Sequence, residues 1–444
     1  MKIFRDPVHN VINLDTGNKA INKLIIKLID SPEFQRLRRI KQLGFADLAY
    51  PNATHTRFAH SLGVAFLTKR FFEKIISLEE RLSEHYDKFD KLQEHNKIVE
   101  FFEQIKRDKP PAIIAALLHD IGHGILSHVT EDIIGINHEE WARGIILGNT
   151  GINKLLSEFN TDYPQIICDI LNSKGDHLYS GKIINGAVDV DKMDYLLRDS
   201  HMTGSGYGRF DIEWLFNVLT AGIKDGRIII GLDEGKGLSV AEDFVTARIY
   251  MLKNVYLHKT SLVAQEMLKM LFKRLKELHE AVNHFIPDES MQKIFFLPKN
   301  EKDIPSLLPD YLAISDEHYY SLLASLQNSK DDVLKKLSSG LYNRILCKEI
   351  DKDHWHGLNI YIRETKGMGM EKYYAFEVKV DSVEKRLTYQ IGKDEIFLFD
   401  KSGEARELLT KSLIAPLIMR DYEYHLGYYA DTEIYNQYLL KICD

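Results

Sequence analysis

Four ionisable side chains stand close together in the stretch A-L-L-H-D-I-G-H-G-I-L-S-H, which begins at residue 116. They are His119, Asp120, His123 and His128. His119 and His123 are four residues apart, so they share one face if the helix continues. A single histidine near a helix C-terminus is usually only a favourable contact with the helix dipole. Four such groups beside G-H-G, where the backbone must turn tightly, favour a metal site or an acid–base site instead.

Two further stretches supply complementary groups. T-H-T-R-F-A-H-S-L-G carries Arg57 and His60 at the start of an amphipathic helix, and His60 lies near the apolar stripe of that helix. D-V-D-K-M-D-Y-L-L-R-D places several carboxylates around Lys192, among them Asp191. Taken alone, this second stretch fits a solvated helix surface with i,i+4 ion pairs as well as it fits a site. The three stretches can form one site only if the fold brings them together.

The elements that must position these groups are mainly helical. Apolar residues recur every three or four positions from Arg57 to Ile76, which predicts an amphipathic helix. Ser31 and Pro32 are typical of a helix start. We predict further helices that begin at the Pro110–Pro111 pair, and over residues 188–198 and 241–278.

Strand patterns are sparse until the last third of the chain. R-I-I-I-G-L after Asp225-Gly226 predicts a hairpin. Alternating runs predict strands in L-N-I-Y-I-R from Leu358, Y-Y-A-F-E-V-K-V from Tyr373 and E-I-F-L-F-D from Glu395. We therefore expect a mainly α fold, with a helical core over residues 1–280 and a smaller α+β region over residues 281–444.

Composition excludes several classes of protein. The 444 residues carry a net charge of −7, which argues against a surface that is basic overall, the usual footprint of a dedicated nucleic-acid binder. Three cysteines, far apart, exclude a cysteine-rich zinc site and suit a reducing compartment. No apolar run approaches the roughly 18–20 residues needed to span a bilayer, and the N-terminus lacks a secretory signal. We expect a soluble cytoplasmic protein without membrane contact.

The motifs together resemble a known family, the HD-domain phosphohydrolases, and above all its branch of deoxynucleoside triphosphate triphosphohydrolases. The resemblance rests on six segments in the same order as in that branch. They are F-R-D-P-V-H from Phe4, Q-R-L-R-R-I-K-Q-L-G from Gln35, H-T-R-F-A-H-S-L-G-V from His55, H-D-I-G-H-G-I-L-S-H from His119, D-V-D-K-M-D-Y-L-L-R-D from Asp189 and Y-L-H-K from Tyr256. The match covers residues 2–260 and implies an HD-domain helical core with its motif region at 50–205. The last third of the chain matches weakly.

The resemblance implies a metal site and an acid–base group. The residues that match metal ligands are His60, His119, Asp120 and Asp191. Imidazoles with carboxylates suit Mn, Fe, Zn or Ni, whereas Mg prefers oxygen-rich sites. We expect one divalent ion, with Mn the ion of choice in vitro. The residues that match the catalytic group are His123, His128, Glu131 and His138, with His128 as general acid and His123 in support.

The resemblance also implies two nucleotide-binding regions. The residues that match the substrate site are Gln42, Leu43, Arg57, Lys192, Tyr195, Asp199, Arg248 and Tyr256. Arg57, Lys192 and Arg248 would balance the roughly four negative charges of a triphosphate, and Tyr195 under the ribose would select a deoxy sugar. The residues that match an effector site between subunits are Lys2, Ile3, Asp30, Gln35 and Arg38, with Lys236 in an adjoining pocket.

The resulting hypothesis is a metal-dependent enzyme that cleaves dNTP to a deoxynucleoside and inorganic triphosphate. We expect activation by a nucleotide and a homo-oligomer, a tetramer rather than a hexamer. One alternative is an HD-type phosphodiesterase or 5′-nucleotidase. Another is a nucleotide-sensing or single-stranded nucleic-acid-binding protein with little catalysis; weak binding of single strands would also be compatible with the enzyme.

Overall fold

The computed structural model describes residues 2–87, 92–282, 288–296, 303–379, 395–418 and 425–443. The helices of the first half are Lys19–Ile29, Pro32–Arg36, Arg57–Ile76, Glu79–Asp87, Leu92–Leu118, His128–Ile134, His138–Leu147, Gly151–Phe159, Tyr163–Leu171, Leu178–Asn185, Val190–Thr203 and Ile212–Val218. Those that follow are Glu234–Met251, Lys259–Val282, Glu289–Phe296, Ile304–Ala313, Asp316–Leu326, Asp332–Tyr342, Trp355–Lys366, Glu371–Tyr374, Leu408–Lys411, Ala415–Ile418 and Thr432–Cys443.

Three small sheets accompany the helices. Ile3–Asp6 and Asn10–Asn13 form an N-terminal hairpin. Leu219–Lys224, Arg227–Asp233, Phe397–Phe399 and Ala405–Glu407 form a four-stranded sheet in that order. Lys348–Ile350, His425–Ala430 and Ala375–Lys379 form a three-stranded sheet in that order. The expected mainly α fold with a smaller α+β C-terminal region is confirmed.

The helices Arg57–Ile76 and Leu92–Leu118 pack along each other at the centre of the molecule, and Val190–Thr203 packs against the first of them. Their contact faces are apolar: Phe71, Phe72 and Ile113 are almost fully buried. Burial of such side chains contributes about 1.5–3 kcal/mol each. This packing matters for function, because each of the three helices carries or precedes one of the predicted site motifs.

Two of the three strands predicted in the last third are present, and one is wrong. The runs from Tyr373 and Glu395 contain Ala375–Lys379 and Phe397–Phe399. The run from Leu358 instead lies in the helix Trp355–Lys366. Leu358 and Ile362, four residues apart, are fully buried, while Ile360 between them is exposed. The apolar residues therefore follow a helical period, which three alternating positions cannot distinguish from a strand.

Two predicted helix boundaries are also wrong. Pro110 and Pro111 lie inside the helix Leu92–Leu118 and do not open it. Tertiary packing overrides the proline effect, because Phe102 and Ile105 before the prolines and Ile113 after them all enter one core. The long helix predicted at 241–278 is interrupted by the π-turn Leu252–Tyr256, a feature frequent at functional sites. Among the described residues, no helix is both long and apolar enough to cross a membrane.

Candidate active site

The four predicted metal ligands come from three elements that meet at the centre of the fold. His60 is in the first turn of Arg57–Ile76, His119 and Asp120 directly follow Leu92–Leu118, and Asp191 is in the first turn of Val190–Thr203. Asp189 caps this last helix by accepting a hydrogen bond from the backbone of Lys192. The helical turn that carries Asp191 is therefore stabilised by a residue only two positions before it.

We call His60, His119, Asp120 and Asp191 the ligand cluster. The donor atoms of His60, His119 and Asp191 all lie within 4.8 Å of one another, as ligands of one ion would, and Asp120 lies beside them. His60 Nε2 lies 2.9 Å from Asp191 Oδ1 and 3.2 Å from His119 Nε2. His119 Nε2 lies 3.5 Å from Asp191 Oδ1 and 3.3 Å from Asp120 Oδ1. Ligands about 2.1 Å from a common ion are about 3.0–3.4 Å apart in octahedral or tetrahedral geometry. The residues present therefore fit a divalent metal ion.

Hydrogen bonds orient both imidazoles for coordination. His60 Nδ1 donates to Asp194 Oδ2 at 2.8 Å, and His119 Nδ1 donates to the carbonyl of Ala116 at 2.7 Å. Each ring therefore directs its Nε2 atom to the cluster, as metal-binding histidines do. Burial lowers the pKa of His60, but hydrogen bonds to Asp191 and Asp194 outweigh it and raise that pKa to about 10. An entering ion must displace this proton, so its affinity rises with pH.

Asp194, which the sequence analysis did not place in the site, holds this arrangement from behind. It is fully buried and accepts hydrogen bonds from Arg198 Nε and Nη2 at 2.8 and 2.9 Å. His9 Nε2 lies 2.6 Å from Asp194 Oδ1, and Arg198 Nη1 donates to Asp6 Oδ2 at 2.7 Å. The charge of Arg198 keeps the pKa of Asp194 well below its ordinary value despite burial. The F-R-D-P-V-H motif, which supplies Asp6 and His9, was the sequence signal for this network.

A second cluster contains His123, His128, Glu131 and His138. Glu131 Oε1 accepts hydrogen bonds from His128 Nδ1 at 2.7 Å and His138 Nδ1 at 3.0 Å. These bonds outweigh burial and hold the pKa of Glu131 well below its ordinary value. The side chain of His128 is 59% exposed, whereas the side chain of His123 is buried. One carboxylate oxygen of Glu131 therefore bonds both imidazoles.

The geometry of this cluster suits proton transfer better than metal binding, although its donor atoms lie within 4.8 Å of one another. His123 and His138 are stacked, with ring centroids 3.8 Å apart and planes 13° apart. Lone pairs of parallel rings run side by side and do not converge on one ion. Burial and the nearby Arg57 charge hold the pKa of His123 well below its ordinary value, so this imidazole is neutral. Asp120 Oδ1, 3.4 Å from His123 Nε2, links the two clusters.

Of the predicted phosphate-binding cations, Arg57 contacts the ligand cluster and Lys192 follows Asp191 in the same helix. Arg57 donates to Asp120 Oδ2 at 2.5 Å and to Ser127 Oγ at 2.8 Å. Lys192 donates to Asp189 Oδ2 at 2.6 Å, and Arg248 is buried. Burial raises the pKa of Asp120, but nearby positive charges, above all that of Arg57, outweigh burial and hold this pKa well below its ordinary value. Asp120 is therefore anionic.

The predicted sugar-binding residues also meet. Tyr256 donates to Asp199 Oδ2 at 2.9 Å, and His55 Nε2 lies 2.7 Å from the other oxygen of Asp199. The rings of Tyr195 and Tyr256 are in edge contact, with centroids 6.1 Å apart. Gln42 is buried and Leu43 is half-buried next to it. His55 was noted in the sequence without a role, and its contact with Asp199, 144 residues away, supplies one.

Most of the predicted effector residues form one surface. Lys2 and Asp30 form an ion pair of 2.5 Å, and Ile3 beside Lys2 is exposed. Gln35 donates to the backbone carbonyl of residue 29 at 2.7 Å and accepts from Arg38 at 2.8 Å. We call the group Lys2, Ile3, Asp30, Gln35 and Arg38 the effector surface. Lys236 lies on another element, in the first turn of the helix Glu234–Met251.

Comparisons with known proteins agree with this geometry. The family model described as "HD domain" matches residues 57–199. The uncharacterized protein YwfO of Bacillus subtilis is 29% identical over 424 residues, which cover 94% of this chain and 89% of that protein. Deoxynucleoside triphosphate triphosphohydrolase SAMHD1 of Gallus gallus is 27% identical over 405 residues, which cover 81% of this chain and 59% of that protein.

A solved structure covers nearly the whole chain. The phosphohydrolase BT4208 of Bacteroides thetaiotaomicron matches with a TM-score of 0.78 and 26% identity over 97% of this chain and 99% of that chain. The HD match includes every residue of the ligand cluster and of the second cluster. The chain therefore contains an HD domain at residues 57–199, its His/Asp group is positioned for a divalent metal ion, and its similarities support a hydrolase of the HD-domain phosphohydrolase kind.

Proposed function

We propose that this protein is a metal-dependent dNTP triphosphohydrolase that releases a deoxynucleoside and inorganic triphosphate. The observation that carries the proposal is the junction of the two clusters at Asp120, whose Oδ1 lies 3.3 Å from His119 Nε2 and 3.4 Å from His123 Nε2. An electrophilic phosphorus held at the ligand cluster is thereby adjacent to groups that can move a proton. The similarity to SAMHD1 supports a dNTP as the substrate.

In this proposal a divalent ion held by His60, His119, Asp120 and Asp191 would polarise the α-phosphate and activate water. The oxygen of water bonds to the α-phosphorus while the bond from phosphorus to the 5′-oxygen breaks, and the attacking water releases one proton to solvent. His128 gives its proton to the departing 5′-oxygen and regains one from solvent afterwards. Glu131 stabilises the protonated form of His128 through their 2.7 Å hydrogen bond. Protonation of the leaving group by a positioned acid typically contributes a factor of about 10²–10⁴ to the rate.

Binding of the substrate follows from the surrounding residues. Arg57, Lys192 and Arg248 balance the triphosphate charge. Gln42 Oε1 is buried and has no hydrogen-bond partner among the described residues, so it offers an acceptor for a sugar hydroxyl. Tyr195 packs under the ribose and excludes a 2′-hydroxyl. The effector surface takes an activating nucleotide between subunits of a homotetramer, with Lys236 in an adjoining pocket. The catalytic core spans residues 1–280.

The direct test is product analysis with each dNTP and each ribonucleotide, using purified protein supplied with Mn. We expect inorganic triphosphate and deoxynucleoside in equal amounts, and little turnover of ribonucleotides. Pyrophosphate or single phosphates without triphosphate would contradict the proposal and favour another HD-type phosphoesterase. A salt-dependent gel shift with single-stranded nucleic acid and no turnover would favour a binding protein. Size measurement with and without each nucleotide tests the effector surface.

A further inference from the structure

The loop that carries His123 and His128 has a backbone that local sequence does not favour. Leu126 and Ser127 have positive φ angles of 54° and 58°, although neither is glycine. Such conformations cost about 1–3 kcal/mol each and persist only where the surroundings enforce them. The first glycine of G-H-G permits a close approach to another helix: a Cβ on Gly122 would lie 2.0 Å from the carbonyl oxygen of His138. The loop therefore depends on contacts from outside it.

Three side chains that are distant in sequence make such contacts with the backbone of the loop, in addition to the bonds of the Ser127 hydroxyl with Arg57 and the Lys41 carbonyl. Arg36 Nη1 donates to the carbonyl of His123 at 2.8 Å. The hydroxyl of Tyr311 donates to the carbonyl of Gly122 at 2.6 Å. Asp316 Oδ1 accepts a hydrogen bond from the backbone N–H of Leu126 at 2.8 Å. Both carbonyls next to the buried imidazole are thus held by donors from other segments.

Arg36 is an unusual residue for this task. Its side chain is almost fully buried, and burial lowers the pKa of its guanidinium. Its Nε donates to the carbonyl of Ile314 at 2.9 Å, so one planar group joins two backbone segments that are 191 residues apart along the chain. A lysine ammonium lacks this rigid fork and cannot reproduce both bonds in the same geometry. The fold therefore buries the charged side chain of Arg36 in order to fix the backbone geometry of these two segments.

The ring of Tyr311 is locked as well. It stacks on Trp141 with centroids 3.8 Å apart and parallel planes, and the Arg36 guanidinium lies 5.0 Å from its centre. Trp141 belongs to the helix that begins with His138, the stacking partner of His123. One packed unit therefore holds the loop and the ring on which His123 stacks.

We propose that Arg36 and Tyr311 are positioning residues that hold the His123 main chain in its reactive geometry. The proposal rests on the proposed function for the role of His123, but the contacts themselves do not. We predict that replacement of either donor loosens the loop. The metal ion should stay bound, because the hydrogen bonds of Arg36 and Tyr311 described above do not involve the ligand cluster.

The test compares Arg36→Lys and Tyr311→Phe with the control Arg39→Lys. Arg39 is a surface neighbour that forms an ion pair of 3.7 Å with Glu317, and Arg39→Lys keeps the charge that acts on Arg36. For each variant we would measure kcat, KM, bound Mn and hydrogen–deuterium exchange of the peptide that covers residues 119–128. We expect kcat to fall by about 10–100-fold, as a misplacement of about 1 Å produces, with KM and Mn content unchanged and faster exchange in that peptide.

The exchange measurement separates this proposal from the proposed function. Faster exchange at 119–128 in Tyr311→Phe supports positioning even if no dNTP is cleaved. The increase should not occur in Arg39→Lys, nor in the peptides of helix Arg57–Ile76. Unchanged exchange at 119–128 in both test variants overturns it, whatever the activity. If Arg36→Lys fails to fold, Tyr311→Phe decides alone, since it removes one hydroxyl and keeps the stacked ring. A Tyr311→Phe protein with wild-type kcat would also overturn the proposal.

Discussion

Replacement of His119 and of His128 by alanine should separate metal binding from proton transfer, although the two residues are only nine positions apart. In the proposed site His119 is one of four ligands. Structural zinc sites with four ligands bind their metal with about 10–16 kcal/mol, so on that scale one ligand accounts for about 2.5–4 kcal/mol. His119→Ala should therefore weaken metal binding about 10²–10³-fold, and turnover should be lost with the metal.

His128→Ala should leave the metal in place. Its hydrogen bond is to Glu131 and its ring contacts are with His123 and His138, so the replacement leaves the ligand cluster intact. Loss of the general acid should lower kcat by about 10²–10⁴, equivalent to about 3–5 kcal/mol of transition-state stabilisation. Since the side chain is largely exposed, the thermal stability of the variant should change little.

The assay is elemental analysis of Mn per chain after dialysis against graded chelator, paired with kcat for the preferred dNTP. His356→Ala serves as the control, because His356 is exposed on a distant helix, Trp355–Lys366. The reasoning is refuted if His128→Ala loses Mn as readily as His119→Ala does. Full turnover by His128→Ala would refute the general-acid role alone.

Three further predictions concern the groups around these residues. Burial lowers the pKa of His128, and its hydrogen bond to Glu131 partly opposes that effect. Glu131→Gln should therefore shift the high-pH limb of the kcat profile further to lower pH, because His128 loses the anion that favours its protonated form; an unmoved limb contradicts the pairing. Asp194→Asn should weaken Mn binding about 10–100-fold through the orientation of His60, as measured by chelator competition, and wild-type affinity would disprove that role. Tyr195→Ala should lower the preference for dNTP over ribonucleotide by about tenfold or more, measured as a ratio of kcat/KM; an unchanged ratio would assign the choice of sugar to another residue.

Much of the helical scaffold followed from local pattern. The helix Arg57–Ile76 has the bounds that its apolar period predicts, since one face of it is buried along its whole length. The hairpin around Asp225-Gly226 was equally readable, because Asp225 and Gly226 both adopt the positive φ that its turn requires. The run from Leu358 failed because its burial was set by neighbouring elements, among them the helix Thr432–Cys443, and not by the alternation itself.

The sequence by itself determined the chemical inventory: which imidazoles and carboxylates are present, in which order, and on which kind of element. Only the tertiary structure decided how they divide the work. The contact of His9 with Asp194 spans 185 residues, and that of Arg36 with His123 spans 87. The stacking of His123 on His138 depends on the close approach that Gly122 permits. Local periodicity reflects interactions within a few residues, whereas ring orientation and backbone strain are set by whatever packs against them from elsewhere in the chain.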